Sequence, residues 1–263
     1  MNDGRKSREN KNLLKDRTGE VSYTTYGSRM KIVEYNNARS IKVRFDNGYE
    51  KNCAYPDFKK GYVKSPYEKR SCGIGFIGEG NYKPTIDKSL SKVYESWINM
   101  LQRCYSEKYL KKRPAYIDCT VCEEWHNFQN FGKWYDKNFY EVGKETMCLD
   151  KDILVKGNKV YSPYTCTFVP ITLNSLFVKC NKSRGDLPIG VSLTQNKEKH
   201  RVEYKNIIND IKFSKIFDTS ELAFQFYKET KETHIKKVVA LYKNKISQNL
   251  FTIINTYEVE ATD

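Results

Sequence analysis

Asp150 and Asp152 flank Lys151 in the run Leu149-Asp150-Lys151-Asp152-Ile153-Leu154, and a Lys156-Gly157-Asn158-Lys159 turn follows. Closely spaced carboxylates can hold a hard divalent ion, Mg²⁺ or Mn²⁺, and a bound ion acidifies water for phosphodiester hydrolysis. The chain then passes through Tyr161-Ser162-Pro163-Tyr164-Thr165-Cys166 to a short apolar segment closing at Asn174. The predicted order is an aromatic-rich helix, an acidic strand, a Gly-Asn turn, a second strand and a helix start. Such a layout brings an acidic strand end beside an Asn, as a small one-metal nuclease needs. The set is partial: no histidine lies between His126 and His200, and a charged lysine is a poor base unless burial lowers its pKa. The competing structural reading has both acids capping turns or pairing with surface lysines.

A second group with ligand chemistry is Cys119-Thr120-Val121-Cys122, a metal-knuckle spacing. A structural zinc needs a closed tetrahedral set, and no second close pair appears. Zinc held by Cys104, Cys119, Cys122 and Cys166 is therefore the lesser reading, with small buried thiols the better one. Eight cysteines at irregular spacing do not form a disulfide framework.

Positioning these residues falls to a chain of 263 residues, 39% hydrophobic and 30% charged, which is long enough to bury cores without external support. The net charge of +14 favours a polyanionic partner, nucleic acid first. No apolar run is long enough to span a membrane and no signal segment is visible, so a cytoplasmic protein with no membrane partner is expected.

Residues 1–18 read as a basic polar tail. Over 19–69 the period is two: Met30–Tyr35 and Ile41–Phe45 alternate, and Asp46-Asn47-Gly48 is a hairpin signal, giving a small β-barrel. Lys31, Lys42, Arg44 and Lys51 either line a phosphate-facing side or simply point to water. Residues 70–90, with Gly73, Gly75, Gly78 and Gly80, read as a glycine-rich linker, because no Lys-Ser or Lys-Thr follows to make a phosphate loop.

Helical periodicity begins in the 91–178 segment. Val93, Trp97, Met100, Leu101 and Cys104 form one stripe, and Trp125, Phe128, Phe131, Trp134 and Tyr135 form another, read as an aromatic core. A basic linker, 179–187, contains Arg184. The 188–246 segment has three strands and a long helix capped at Asp218-Thr219-Ser220-Glu221, with Leu222, Ala223, Phe226, Tyr227, Ile235, Val238, Val239 and Tyr242 as the buried stripe. Three strands backed by one helix leave a sheet face open for a ligand. Residues 247–263 read as an added strand or an ordered tail. The fold class is α+β, with three small modules.

Several of these patterns resemble known families. The run Tyr94-x-x-Trp97-x-x-Met100-Leu101-x-Arg103-Cys104-Tyr105, then Cys122-x-x-Trp125-x-x-Phe128-x-x-Phe131, Leu149-Asp150-Lys151-Asp152, Tyr161-Ser162-Pro163 and Cys166 is similar to phage-encoded HNH-like (ββα-metal) endonucleases. The resemblance implies one divalent ion on Asp150, with Lys151 at the basic or general-base position, Asp152 as a second acid and Asn174 at the helix ligand position. Tyr164 and Thr165 depart from the Glu-Asn pair of that family. Residues 19–69 resemble the Src-homology-type small barrels.

Pro188-Ile189-Gly190-Val191 and Glu221-x-Ala223-x-x-x-Tyr227 resemble the APETALA-type (ethylene-response-factor) DNA-binding domain, which implies a sheet that reads duplex DNA. The residues expected at that surface are Arg184, Gln195, Lys199, His200, Arg201, Lys205, Lys212 and Lys215. Two functions follow: a metal-dependent DNA endonuclease, or a non-catalytic DNA- or protein-binding factor on the same scaffold with a host or phage protein as partner. An RNA-binding role has less support, because no aromatic ribonucleoprotein-type motif occurs.

Overall fold

The computed structural model describes residues 15–178 and 185–263. It is an α+β protein whose chain divides into two compact units. The first runs to Ser91 and takes in His126–Gln129; the second comprises Lys92–Trp125 and Asn130–Asp263.

In the first unit, β1 (Val21–Tyr23), β2 (Arg29–Asn37), β3 (Ser40–Phe45) and β4 (Glu50–Cys53) form an antiparallel sheet in sequence order. Alternation drives it: Met30, Ile32, Ile41, Val43 and Phe45 are buried with Phe58 from α1 (Tyr55–Lys60) and Val63. The opposite face pairs its charges across strands, Lys42 with Glu34 at 3.1 Å and Arg44 with Glu50 at 2.6 Å. Lys51 instead lies opposite Val43 and donates to the Lys64 carbonyl. This face is a ladder of ion pairs rather than a free basic stripe.

The glycine-rich run is explained by close packing. Phe76 and Phe128 exchange backbone hydrogen bonds with the 126–128 segment and Phe76 respectively, and a β-carbon on Gly78 or Gly80 would overlap the Asn127 or Gln129 side chain. Buried Gln129 donates to the Ile77 and Tyr82 carbonyls and accepts from the Tyr82 amide. The run then ends in a two-strand ribbon, β5 (Thr85–Ile86) with β6 (Ser89–Leu90).

The second unit opens with α2 (Lys92–Tyr105), which buries Trp97, Met100, Leu101 and Cys104, and α3 (Glu107–Lys112). After β7 (Thr120–Val121) and α4 (Phe128–Asn138), Trp125 packs on Phe131 and Trp134, and Trp97 donates to the Trp125 carbonyl at 2.7 Å. The expected aromatic core is present. β8 (Met147–Asp150) pairs antiparallel with β10 (Thr167–Pro170), β9 (Val160–Tyr161) pairs parallel with β7, and α5 (Ile171–Ser175) follows β10 without a loop.

β11 (Val191–Leu193), β12 (His200–Lys205) and β13 (Lys212–Phe217) form a three-stranded antiparallel sheet backed by α6 (Ser220–Ala240). Thr219 caps α6 by accepting from the Leu222 amide. Leu222 itself is exposed, a departure from the expected stripe, because the buried line starts one position later at Ala223 and runs through Tyr227. Gly190 has φ +76°, and a β-carbon there would overlap the Tyr227 ring, so the Ile189-Gly190-Val191 turn needs glycine to lie against α6.

The C-terminal residues form α7 (Gln248–Asn255), capped by Ser247, rather than a strand or plain tail. Leu250 and Ile254 join Ile235, Val238, Val239 and Tyr242 of the α6 region in one core with Val142, Ile153, Val169, Leu173 and Leu176. The strand-strand-helix segment and the C-terminal helices are therefore welded through shared apolar packing.

Candidate functional site

β8 ends at Asp150, whose backbone pairs with Thr167 of β10. Its Oδ1 accepts from the Asp152 amide at 2.9 Å and the Ile153 amide at 2.7 Å, so the carboxylate closes the turn that follows its own strand. Burial, then the nearby Asp152 charge, pushes the Asp150 pKa above the usual carboxylate range, against the two amide bonds that lower it. Asp150 is half-buried, and a cation bound there would offset both the desolvation and the repulsion from the second acid.

Lys151 is buried, with its ammonium 3.3 Å from Asp152 and 5.9 Å from the centre of the Tyr161 ring. An ammonium fixed in an ion pair serves as a cation rather than as a base. Asn158, in the turn expected from Lys156-Gly157-Asn158-Lys159, donates from its amide to the carbonyls of Lys151 and Val160, both at 2.7 Å. Lys156 ties the same loop to the C-terminus through Asp263 at 3.0 Å and Glu260 at 3.2 Å. The Asp150–Val160 loop is thus held at its start, its end and its outer edge.

Arg103 of α2 reaches this loop from outside the acidic run. It donates to the Leu149 carbonyl at 3.3 Å, and its guanidinium lies 5.9 Å from the centre of the Tyr116 ring. Burial works against its charge, but the surrounding Tyr161, Tyr116 and Tyr109 outweigh it and hold its pKa up. Among the described residues no carboxylate forms an ion pair with Arg103. Burial raises the Tyr116 pKa, and Arg103, Lys151 and Asp150 all act on that hydroxyl, which places the four groups in one electrostatic neighbourhood. Two cations and one half-buried acid around the same hydroxyl suit a phosphate oxygen more than a neutral ligand. Sequence reasoning does not identify Arg103 and Tyr116 as site residues; the signal it offers is the place of Arg103 in the Tyr94–Tyr105 run, off the core stripe of α2.

Asn174 lies half-buried on α5, which packs on β8. Among the described residues no hydrogen bond joins its side chain to Asp150 or Asp152. No third His, Cys, Asp or Glu completes a metal cluster with the two acids among the described residues. Two carboxylates alone fit a Mg²⁺-type ion that keeps most of its water and completes its shell on a phosphate, and they do not fit a closed protein cage.

The four thiols considered for zinc do not assemble into a ligand set among the described residues. Cys104, Cys119 and Cys166 are buried and Cys122 half-buried, all as free thiols. Burial raises the Cys119 and Cys122 pKa values and pushes that of Cys166 up to about 12, as expected of packed thiols rather than thiolate ligands. Tyr164, one of the two departures noted above, is 88% exposed. Thr165 is structural, its hydroxyl bonding Ser162 at 2.8 Å and the Val160 carbonyl at 2.7 Å.

The expected DNA-facing residues separate by register. Partners directly opposite in a sheet share a face, so Ser192, Arg201 and Ile216 share the open face with Glu203, Ser214, Lys205 and Lys212. His200 lies opposite Leu193 and Phe217 on the helix side, and Lys215 also turns there, its ammonium 4.5 Å from the Phe226 ring centre. Those two are not on the open face, because the period of two assigns them with Val202 and Tyr204. Gln195 and Lys199 sit in the turn between β11 and β12, with Lys199 paired to Asp218 at 2.9 Å. Arg184 lies outside the described residues. No protein-family model, curated protein or solved structure matches this chain.

Proposed function

We propose that this chain binds duplex DNA and carries an HNH-like phosphodiesterase centre at Asp150. The carrying observation is the half-buried Asp150 carboxyl at the end of β8, in a strand-strand-helix segment, with its pKa raised, Arg103 on the carbonyl of the preceding Leu149, and Arg103, Lys151 and Asp150 all acting on the Tyr116 hydroxyl. The resemblance to phage-encoded HNH-like endonucleases implies roles for Asp150, Lys151 and Asp152 in the same centre, and Arg103 is added from its contact with the Leu149 carbonyl.

In this reading Asp150 and Asp152 hold the ion, Mg²⁺ or Mn²⁺, which when bound supplies Lewis-acid activation of water and neutralises charge on the leaving oxygen. Arg103 offers its guanidinium fork to the phosphate, and Lys151 adds a compact positive charge while restraining Asp152. Asn158 keeps the loop in register, so the acids and cations are already placed when DNA arrives. The open face of the C-terminal sheet, with Arg201, Lys205 and Lys212, follows the phosphate backbone and positions the duplex.

A non-catalytic DNA- or protein-binding role is the second reading. It is favoured by the commitment of Asp150 Oδ1 to two backbone amides and by the absence of any histidine between His126 and His200. One experiment separates the two: supercoiled DNA is incubated with the protein and with Asp150→Ala in Mg²⁺, Mn²⁺ or EDTA. The nuclease reading expects nicking that needs the metal and disappears in the variant. Retained DNA binding with no nicking by the unaltered protein would establish the second reading, and nicking by Asp150→Ala at the original rate would remove Asp150 from the site.

A further inference from the structure

The turn joining β12 to β13 has an unusual composition for a solvent-facing loop. Asn206-Ile207-Ile208-Asn209-Asp210-Ile211 puts three isoleucines outside the core, with Ile208 50% and Ile211 57% exposed. It is nonetheless a built element. The Asn206 amide donates to the Ile211 carbonyl at 2.9 Å, Asn206 Oδ1 accepts from the Ile208 amide at 2.9 Å, and Asn209 Oδ1 accepts from the Ile211 amide at 3.2 Å. The Ile207 amide is fastened to α6 through His234 Nε2 at 3.3 Å. Four hydrogen bonds hold three neighbouring exposed isoleucines in a defined turn, and a clustered apolar tip of this kind is what a partner surface covers.

The flanking chemistry selects the partner. Lys205 and Lys212 are opposed at the base of the turn, on the open face that also carries Arg201. Lys205 pairs with Asp210 of the tip and Arg201 with Glu203, which leaves Lys212 as the cation of this face with no ion pair among the described residues. Both asparagines spend their side-chain oxygens on backbone amides, and among the described residues their amide NH₂ groups have no acceptor, leaving donors at the tip. Minor-groove base edges at A·T pairs present only acceptors, and proteins that bend DNA push apolar side chains between base steps there. An anionic membrane is a poorer match, because the tip has no aromatic residue.

We propose that this hairpin tip is a DNA wedge: Ile207 and Ile208 enter the minor groove at an A·T step, unstack it in part and bend the duplex. The inference rests on the DNA-binding reading but requires neither metal nor cleavage.

The test uses the full-length protein and Ile207→Ser/Ile208→Ser on a short A·T-rich duplex carrying end-to-end energy-transfer dyes, in EDTA so that nothing is cut. Expected is a rise in transfer with the unaltered protein that is lost in the double variant. The slope of log affinity against log salt should stay unchanged, because the phosphate contacts remain. A folded double variant that binds and bends like the original overturns the wedge alone. No duplex binding by the unaltered protein overturns the wedge together with the DNA reading. Tip-dependent binding to anionic vesicles, with DNA bending unchanged, reassigns the tip to membranes and also overturns the proposal.

Discussion

Arg103 is the residue on which the proposed chemistry differs most from a set of acids on a loop. The Leu149 carbonyl and the surrounding tyrosines aim its fork, so replacing it with lysine keeps the charge and loses the two-pronged geometry. Cleavage by Arg103→Lys is expected to fall on the order of a hundredfold, the usual loss when one preorganised transition-state donor is removed. Nicking rates on the same plasmid, with thermal melting as the fold control, check it. His234 is a second residue with a measurable signature. Its Nδ1 lies 2.7 Å from the Tyr204 hydroxyl and its Nε2 accepts from the Ile207 amide, an arrangement only the neutral ring satisfies. Burial, then the Lys237 charge, lowers its pKa below the usual 6.5. The unfolded chain therefore binds the proton more readily. This contribution to stability is complete above about pH 6.5 and is lost as the pH falls toward the lowered value. Melting temperature should drop between pH 7.5 and pH 5 by more in the original protein than in His234→Gln, as read by scanning calorimetry at both pH values.

Among the elements, α7 carries the clearest prediction. Its Leu250 and Ile254 are almost fully buried against the α6 helix and α5 residues. Leu250→Ala should cost about 2–5 kcal/mol, as truncation of a buried leucine does elsewhere. Urea unfolding measures this directly, and a cost near zero would return the C-terminus to the status of a tail. The three-stranded sheet shows how register decides function. One residue of slip would exchange Arg201, Lys205 and Lys212 for Val202, Tyr204 and Lys215 on the open face. The Gly190 contact with Tyr227 guards against such a slip by fixing where β11 begins.

For the whole molecule, the +14 charge is what remains after 46 Lys and Arg are set against 32 Asp and Glu, and individual cations such as Lys42 and Lys199 are paired with Glu34 and Asp218. Affinity for duplex DNA should still fall steeply with salt, and Lys205→Ala/Lys212→Ala should reduce the slope of log affinity against log salt by about 2. Fluorescence anisotropy across a salt series checks this. A flat dependence would remove DNA as the partner. No helix among the described residues is long and apolar enough to cross a membrane.

Local pattern was sufficient for much of this protein. Alternation in Met30–Phe45 dictates β2 and β3, the 3.6 period in Trp97–Cys104 and Ala223–Val239 dictates α2 and α6, and Asp46-Asn47-Gly48 dictates the hairpin, because each is a relation between near neighbours. The acids of the candidate site, Asp150 and Asp152, are equally legible, being two residues apart. Tertiary structure decided which distant groups join them. Arg103 and Tyr116 lie tens of residues upstream, and nothing local to either encodes a meeting with Leu149 and Lys151. The same holds for the glycines at 78 and 80, which answer to Asn127 and Gln129, and for Leu250, whose burial depends on helices that precede it. The cysteines follow the better of the two sequence readings: Cys104, Cys119, Cys122 and Cys166 form no ligand set among the described residues, and burial favours the neutral thiol at Cys119, Cys122 and Cys166.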